Sequence, residues 1–136
     1  MAKDGAYLEA ENLIEKTLRS GETELDLSEM GLSEIPDQGR ILEVGCGTGQ
    51  ATTPFATRGY EMVCLDIGPD LIEVAKKKLK TYPNVSFRLS TFEEWSADQA
   101  FDLLISATAF HWIDPNVKFI KAREVLKSRH RMIYVK

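Results

Sequence analysis

The sequence contains few of the residues that mark secreted, membrane-spanning or metal-binding proteins. Its 136 residues include only two cysteines and two histidines, too few for a disulfide-rich scaffold or a zinc site. No apolar run approaches the roughly 20 residues that a membrane-spanning helix needs, and the acidic stretch Met1–Glu11 is not a signal peptide. We therefore expect a reduced, cytoplasmic protein without a bound metal or a membrane contact.

The charge of the chain does not favour a nucleic-acid partner. There are 17 basic and 21 acidic side chains, a net charge of −4, and this mild acidity argues against non-specific nucleic-acid binding. The segment Lys118–Lys136 is locally basic. It is either a solvated face that complements the acidic N-terminus, which we favour, or a phosphate-binding patch.

The length and the alternation of elements predict one α/β domain. Hydrophobic residues make up 43% of the chain and charged residues 28%, which is typical of a globular protein. From Arg40 onward, apolar runs alternate with helical patterns, and such alternation favours a mainly parallel sheet flanked by helices. The predicted strands are Arg40–Val44, Glu61–Asp66, Val85–Leu89, Phe101–Ala107 and Arg131–Val135. The predicted helices are Ala51–Arg58, Pro69–Tyr82 and a third from Asp114–Pro115 to Lys127. The second helix is predicted to bury Leu71, Ile72, Ala75 and Leu79. The third is predicted to bury Val117, Ile120 and Val125.

A glycine-rich segment directly follows the first predicted strand. Residues 43–50 read EVGCGTGQ, and glycines between a strand and a helix let a ligand approach the backbone. Gly45, Gly47 and Gly49 have the spacing G-x-G-x-G, and Gln50 stands where a dinucleotide fingerprint has its third glycine. The segment is either a ligand-binding loop or merely a tight turn.

An acidic residue favours the ligand-binding interpretation. Asp66 ends the second predicted strand, 17 residues after Gly49, where a carboxylate can accept both hydroxyls of a ribose. The alternative is that Asp66 caps the helix that begins near Pro69. Ile67 then lies against a flat base or belongs to the core.

Several of these segments together resemble a known enzyme family. The segment Arg40–Gln50 resembles the first motif of class I S-adenosylmethionine-dependent methyltransferases, and the similarity extends over about residues 38–127 through CLDI, TFEEW and FDLLISATAFHW. The phrase AFHW is similar to the bacterial small-molecule branch that includes trans-aconitate methyltransferase-like proteins. The resemblance implies a Rossmann-like sheet of about five strands, S-adenosylmethionine as cofactor and methyl transfer to a small-molecule acceptor.

The resemblance also implies roles for the matched positions. Glu43 and the three glycines line the methionine part of the cofactor, with the carboxylate facing its ammonium group. Cys46 lies in the loop but has no adjacent base in the sequence, so we expect it to fill a small gap beside the cofactor rather than to react. Asp66 holds the ribose and Ile67 packs on adenine. The residues implied at the adenine edge and at the emerging methyl group are Thr91, Phe92, Ser106 and Ala107. Many relatives carry an acid at or beside the position of Thr91.

The sequence says less about the residues that bind the methyl acceptor. The resemblance places His111 near the acceptor pocket, whereas a structural histidine that bonds a loop carbonyl is an equal alternative. A sulfonium is already a good leaving group, so methyl transfer needs positioning more than acid–base help, and we name no catalytic base. Trp95 and Trp112 either line the site or pack in the core, and we favour packing.

Both ends depart from the family pattern. The family sheet has seven strands and this sequence ends at the fifth, with Ser128–Arg131 in place of a Pro-Gly-Gly turn. Leu13–Pro36 resembles the opening of one bacterial leucine-rich repeat. We expect residues 1–37, with a helix over Ala6–Ser20 and a short strand over Thr23–Leu27, to be joined to a truncated core of residues 38–136, in a chimeric chain. The edge of the fifth strand then pairs with the Thr23–Leu27 strand or, as we favour, with a second copy in a homodimer.

Four functions follow from these patterns. The first is methyl transfer from S-adenosylmethionine to a small molecule. The second is a cofactor-binding remnant without turnover, and the third is a protein-interaction module built on the leucine-rich segment. The fourth, a nicotinamide-dependent oxidoreductase, is disfavoured by Gln50 and by the absence of a tyrosine–lysine pair.

Overall fold

The computed structural model describes residues 39–106 and 112–134, which form an α/β unit. The strands in these ranges are β1 (Arg40–Val44), β2 (Glu61–Asp66), β3 (Val85–Leu89), β4 (Phe101–Ser106) and β5 (Leu126–Tyr134). The helices are α1 (Thr52–Ala56), α2 (Pro69–Lys78) and α3 (Pro115–Val125). The expected N-terminal helix, short strand and leucine-rich segment lie outside the described residues, as do Ala107 and His111.

The five strands form one parallel sheet in the order β3-β2-β1-β4-β5. The chain builds outward from β1 to β3 and then returns to place β4 on the other side of β1. In open α/β sheets, ligands bind at the carboxyl ends of the strands where the order reverses in this way. The expected Rossmann-like fold is confirmed, and its topology locates a candidate site at the ends of β1, β2 and β4.

Both faces of the sheet are covered. Ile41 and Leu42 are adjacent in β1 but belong to different apolar clusters, because successive side chains of a strand point to opposite faces. One cluster contains Phe55 and Leu79, from the segments around α1 and α2. All six residues of β4 are buried, as is typical of a parallel strand that lies between two others and is covered on both faces.

The helix starts follow from local chemistry. Pro69 and Pro115 each stand in the first turn of a helix, where the missing N–H group is not needed. The side chain of Asp114 accepts a hydrogen bond from the amide of Asn116 at 2.9 Å and so caps α3. None of the helices in the described ranges is long and apolar enough to cross a membrane.

Some helix ends and one strand start differ from the predictions. Helix α2 ends at Lys78 rather than Tyr82, because Leu79 leaves the helical conformation with φ −108° and ψ 16°. Helix α1 is similarly shorter, at five residues. Strand β5 begins at Leu126 rather than Arg131, since Leu126 is already extended and pairs with Phe101 of β4.

Two side chains predicted to be buried are exposed. Ile120 is 64% exposed because Ala122, which α3 buries, lies two residues away, about 200° around the helix. Leu71 is 44% exposed. It lies in the first turn of α2, against Gly68 and beyond the end of β2. The remaining predicted core residues of α2, Ile72, Ala75 and Leu79, are buried as expected.

A pair of glycines separates steric contact from backbone strain. Gly49 and Gly59 have nearly the same conformation, with φ of 88° and 85°. A Cβ atom at Gly49 would lie 3.0 Å from Cδ1 of the buried Leu79, whereas one at Gly59 would meet nothing within 4 Å. We expect Gly59→Ala to lower the free energy of unfolding by about 1 kcal/mol through backbone strain, and Gly49→Ala by about 1 kcal/mol more through overpacking. Urea denaturation of both variants measures the difference, and equal losses would contradict the role of Leu79.

Candidate functional site

The glycine-rich loop folds back over the end of β2. The amides of Gly45 and Cys46 both donate to the carbonyl oxygen of Leu65, at 2.8 and 3.0 Å. Three glycines of the loop have positive φ angles, 76° at Gly45, 56° at Gly47 and 88° at Gly49. Residues with side chains rarely adopt this conformation. The loop therefore depends on its glycines, as the spacing indicates.

Gly47 and Gly49 differ in what surrounds them. A Cβ atom at Gly49 would press against Leu79, so packing beneath the loop requires that glycine. A Cβ atom at Gly47 would have no protein atom within 4 Å. Internal packing thus leaves space at Gly47, and the absence of a side chain keeps the backbone of the loop accessible to a ligand.

Asp66 joins the glycine loop to the start of α2. Its Oδ2 accepts a hydrogen bond from the amide of Gly47 at 2.8 Å, and its Oδ1 accepts one from the amide of Gly68 at 2.8 Å. Gly68 is the N-cap residue of α2, so Asp66 also supports the start of the helix, as the capping alternative has it. Each carboxylate oxygen retains acceptor capacity after one hydrogen bond. The side chain can therefore hold the loop and accept two ligand hydroxyls.

Glu43 lies beneath the loop and is 1% exposed. It accepts hydrogen bonds from the hydroxyl of Thr52 and from the thiol of Cys64, the second at 3.9 Å. Burial raises the pKa of the Glu43 carboxyl to about 7, although the bonds from Thr52 and Cys64 oppose the rise. Glu43 thus connects the end of β1 to the start of α1 across the loop. Its expected contact with an ammonium group stays a prediction.

The two cysteines pack beside this carboxyl group. Cys46 and Cys64 are both buried and unbridged. Their mutual hydrogen bond, together with burial, raises the pKa of the Cys64 thiol well above its ordinary value. A thiol that is held protonated is a poor nucleophile. Cys46 is 5% exposed and packs in the same apolar cluster as Cys64, which agrees with the expectation that it fills space.

Two exposed apolar residues adjoin Asp66 at the end of the sheet, one in sequence and one across the strands. Ile67 is 71% exposed, so the alternative that it belongs to the core is wrong. Leu89 is 60% exposed and is the register partner of Asp66 on β3. Exposed apolar groups next to a carboxylate suit a ligand that combines a flat base with hydroxyls.

The remaining predicted site residues are placed differently. Phe92 is 2% exposed and packs in the core cluster of Leu42 and Val125, so it supports the turn that contains Thr91 from beneath. Ser106 is 1% exposed, and its hydroxyl donates to the carbonyl of Val44 at 2.8 Å, which ties the ends of β4 and β1 together.

The two tryptophans have different environments. Trp95 is half-buried and lies 5.9 Å from the ring centroid of Phe101, in agreement with the packing interpretation. Trp112 is 81% exposed, so packing in the core is wrong for this residue. Its position before α3 leaves a large aromatic surface exposed.

Three contributors were not recognised from the sequence. Thr52 binds Glu43, and its only signal is a hydroxyl in the first turn after the glycine loop. Leu89 is signalled only by its position at a strand end. Lys121 was grouped with a basic surface, yet its ammonium donates to the carbonyls of Glu93 and Trp95 in the turn after β3.

Comparison with known proteins identifies the class. A family described as "Methyltransferase domain" matches residues 41–129, and the chain belongs to this family. One similar curated protein is malonyl-[acyl-carrier protein] O-methyltransferase 1 of Ilyobacter polytropus, which is 37% identical over 60% of this chain and 31% of that protein. Another is magnesium-protoporphyrin O-methyltransferase of Rhodobacter capsulatus, which is 33% identical over 68% of this chain and 42% of that protein. The chain thus spans less than half the length of either.

A solved structure agrees with the family and with the fold. The structure is described as a putative S-adenosylmethionine-dependent methyltransferase from Listeria monocytogenes. It superposes with a TM-score of 0.65 at 27% identity, over 74% of this chain and 47% of that one. The resemblance to class I methyltransferases is therefore confirmed for the core. The leucine-rich and chimeric interpretations concern residues beyond the described ranges and stay predictions.

The raised pKa of Glu43 predicts a pH-dependent stability. The folded chain keeps the proton to about pH 7, whereas the unfolded chain releases it near pH 4.5. The unfolding free energy attributable to this group is therefore full below about pH 4.5 and falls as the pH rises to about 7, by on the order of 3 kcal/mol. Glu43→Gln, which stays neutral, should remove this fall. Urea denaturation between pH 5 and 8 measures it.

Glu94→Gln, at an exposed glutamate, is the matched control and should keep the wild-type pH profile. An unchanged profile in Glu43→Gln would show that Glu43 is ionised throughout this range.

Proposed function

We propose that this chain binds S-adenosylmethionine at the carboxyl ends of β1 and β2 and transfers its methyl group to a small-molecule acceptor. One observation carries the proposal: the Asp66 carboxylate, at the end of β2, is bonded to the amides of both Gly47 and Gly68 and each of its oxygens still has acceptor capacity. A strand-end acid fixed to a glycine loop in this way is suited to the diol of a ribose.

The residues present fit the parts of such a cofactor. The open space above Gly47 admits a ligand against the backbone of the loop. Asp66 offers acceptors to the ribose hydroxyls, and the exposed side chain of Ile67 offers an apolar surface to the base. The buried acid Glu43 is a source of negative charge beneath the loop, since its pKa of about 7 leaves it partly ionised at neutral pH.

The chain's own contribution to methyl transfer is positioning. When bound, the cofactor supplies an activated methyl group on a sulfonium sulfur. The bonds from Gly45 and Cys46 to Leu65 fix the loop, and the bond from Ser106 to Val44 fixes the end of β4 beside it. Rigid placement of two reactants is the main catalytic requirement when the leaving group departs as a neutral thioether. We propose no catalytic base, and a role for His111 in the acceptor pocket stays a prediction.

The relatives support the cofactor class more than any particular acceptor. One is named for methylation of a malonyl-[acyl-carrier protein] and another for methylation of magnesium protoporphyrin, and these acceptors share little chemistry. For this chain we propose a small-molecule acceptor that contacts the exposed face of Trp112. The alternative, a binding remnant without turnover, predicts the same cofactor site and differs only in activity.

The cofactor site is tested by calorimetric titration with S-adenosylhomocysteine and S-adenosylmethionine. Asp66→Ala removes both backbone bonds and the acceptors for the ribose, so its Kd should rise at least about tenfold, or about 1.4 kcal/mol. Asp70→Ala, at an exposed acid in the first turn of α2, is the control and should bind as the wild type does. If folded wild-type protein binds neither ligand, the proposed function is wrong.

A second pair of variants separates occupation of the site from backbone strain. Gly47→Ala and Gly59→Ala both place a side chain at a positive φ with no protein atom within 4 Å. Their effects on stability should therefore be similar, while only Gly47→Ala should weaken binding, by about tenfold or more. Equal binding by the two variants would show that the ligand does not approach the loop at Gly47.

A further inference from the structure

The turn after β3 borders the site and is held by its own hydrogen bonds. The amide of Ser90 donates to the carbonyl of Asp66 at 3.0 Å, so the turn begins directly beside the proposed ribose acceptor. Within the turn, the amide of Glu94 donates to Oγ1 of Thr91 at 3.1 Å, and the amide of Trp95 donates to the Thr91 carbonyl at 3.2 Å. The conformation of residues 91–95 therefore determines what this border of the site presents.

A lysine from a distant helix closes the same turn. Lys121 lies on α3, and its ammonium donates to the carbonyl of Glu93 at 2.8 Å and to the carbonyl of Trp95. An ammonium group has three donors and no acceptor, so it can bind two carbonyls at once. Bonds from a charged donor are stronger than those between neutral groups. The turn is thus bound to α3 by a cation, across 26 to 28 residues of sequence.

Phe92 attaches the same turn to α3 by apolar packing. Its side chain is 2% exposed and packs in the same cluster as Ala122 and Val125 of α3. The Lys121 ammonium lies 5.3 Å from the centroid of the Phe92 ring, within the range of a cation–π contact. Phe92 fixes the start of the turn, and Lys121 fixes the carbonyls of Glu93 and Trp95. Together they attach the turn to α3 through one polar and one apolar contact.

We propose that Lys121 is a positioning residue for recognition of the cofactor's base. It touches no ligand. By binding two carbonyls of the turn, it holds Thr91 and the adjoining backbone where the base of a nucleoside bound at Asp66 is recognised. The inference rests on the proposed function, because it assigns a role within the same site. A turn ordered before binding also reduces the entropy that the ligand must remove.

The sequence around Thr91 makes such positioning more important. Thr91 offers no carboxylate, so recognition of the base amine depends on backbone groups of the turn. The side-chain oxygen of Thr91 already accepts from Glu94, and its carbonyl accepts from Trp95 and from the hydroxyl of Ser90. Backbone groups recognise a ligand only when their directions are fixed, and Lys121 holds the carbonyls of Glu93 and Trp95.

The test compares Lys121→Met, which keeps the aliphatic stem, with Lys121→Arg, which keeps the charge and the donors. Lys77→Met, at an exposed lysine of α2, controls for the loss of one positive charge. The Kd values of S-adenosylhomocysteine and S-inosylhomocysteine are measured by calorimetry, since the two ligands differ only at the base. Hydrogen exchange of the Glu94 and Trp95 amides is followed in the free protein.

We expect Lys121→Met to raise the Kd of the adenosyl ligand about tenfold and to reduce the preference for the adenosyl over the inosyl ligand. Exchange at Glu94 and Trp95 should accelerate about tenfold, with no change in the β1 and β2 amides. Lys121→Arg should keep most of the wild-type affinity, ligand preference and amide protection, and Lys77→Met should behave as the wild type. An unchanged ligand preference, or exchange that accelerates throughout the sheet, would overturn the proposal, because either result indicates a general structural role.

Failure of the proposed function has a different signature. If the wild-type chain binds neither ligand while its Glu94 and Trp95 amides are protected, the proposed function is wrong and Lys121 has no base to position. If the wild type binds and only the role of Lys121 is wrong, Lys121→Met keeps both the affinity and the adenosyl preference.

Discussion

The carboxylate of Asp66 accepts two backbone hydrogen bonds at once, and the candidate site depends on that arrangement. One bond goes to Gly47 in the loop after β1 and the other to Gly68 before α2, each at 2.8 Å. A parallel sheet brings these segments to the same edge, because the register pairs Val44, the last residue of β1, with Leu65, the residue before the end of β2. A charged acceptor between two N–H groups then fixes their separation. The loop thus has a defined shape before any ligand arrives.

Beneath the loop, polarity is concentrated in a small buried group. Glu43 accepts from Thr52 and Cys64, and no lysine or arginine contact is recorded for it in the described part of the chain. Burial of a carboxyl group without a cation raises its pKa. The polar support under the loop therefore lowers the free energy of unfolding at neutral pH. The contact between Gly49 and Leu79 completes that support from the apolar side. The loop is therefore held from below by packing and from the side by Asp66, while the space above Gly47 stays open.

The sequence was sufficient for the elements that depend on local patterns. The first four strands start where the apolar runs start, and the starts of α2 and α3 follow from Pro69, Asp114 and Pro115. Helix ends and the start of β5 were less predictable, because they depend on pairing between distant segments: Leu126 turns into a strand directly after α3 by pairing with Phe101. Ile120 and Leu71 show the same limit. Their apolar character is visible in the sequence, but which face of a helix meets the sheet is decided by the packing of its neighbours.

By itself, the sequence determined the glycines of the loop, the acid at the end of β2 and the membership of the core in an α/β class, since each follows from residue type and spacing along a short segment. Only the tertiary structure decided that Asp66 accepts from two backbone amides and that Glu43 lies under the loop against Thr52. It also decided that Phe92 is buried in the core. It also showed that Lys121, which the sequence places in a basic segment, donates hydrogen bonds to two carbonyls of a distant turn. The bonds of Thr52 to Glu43 and of Lys121 to Glu93 join residues 9 and 28 positions apart, and such contacts form only when the sheet and its helices bring separate segments together.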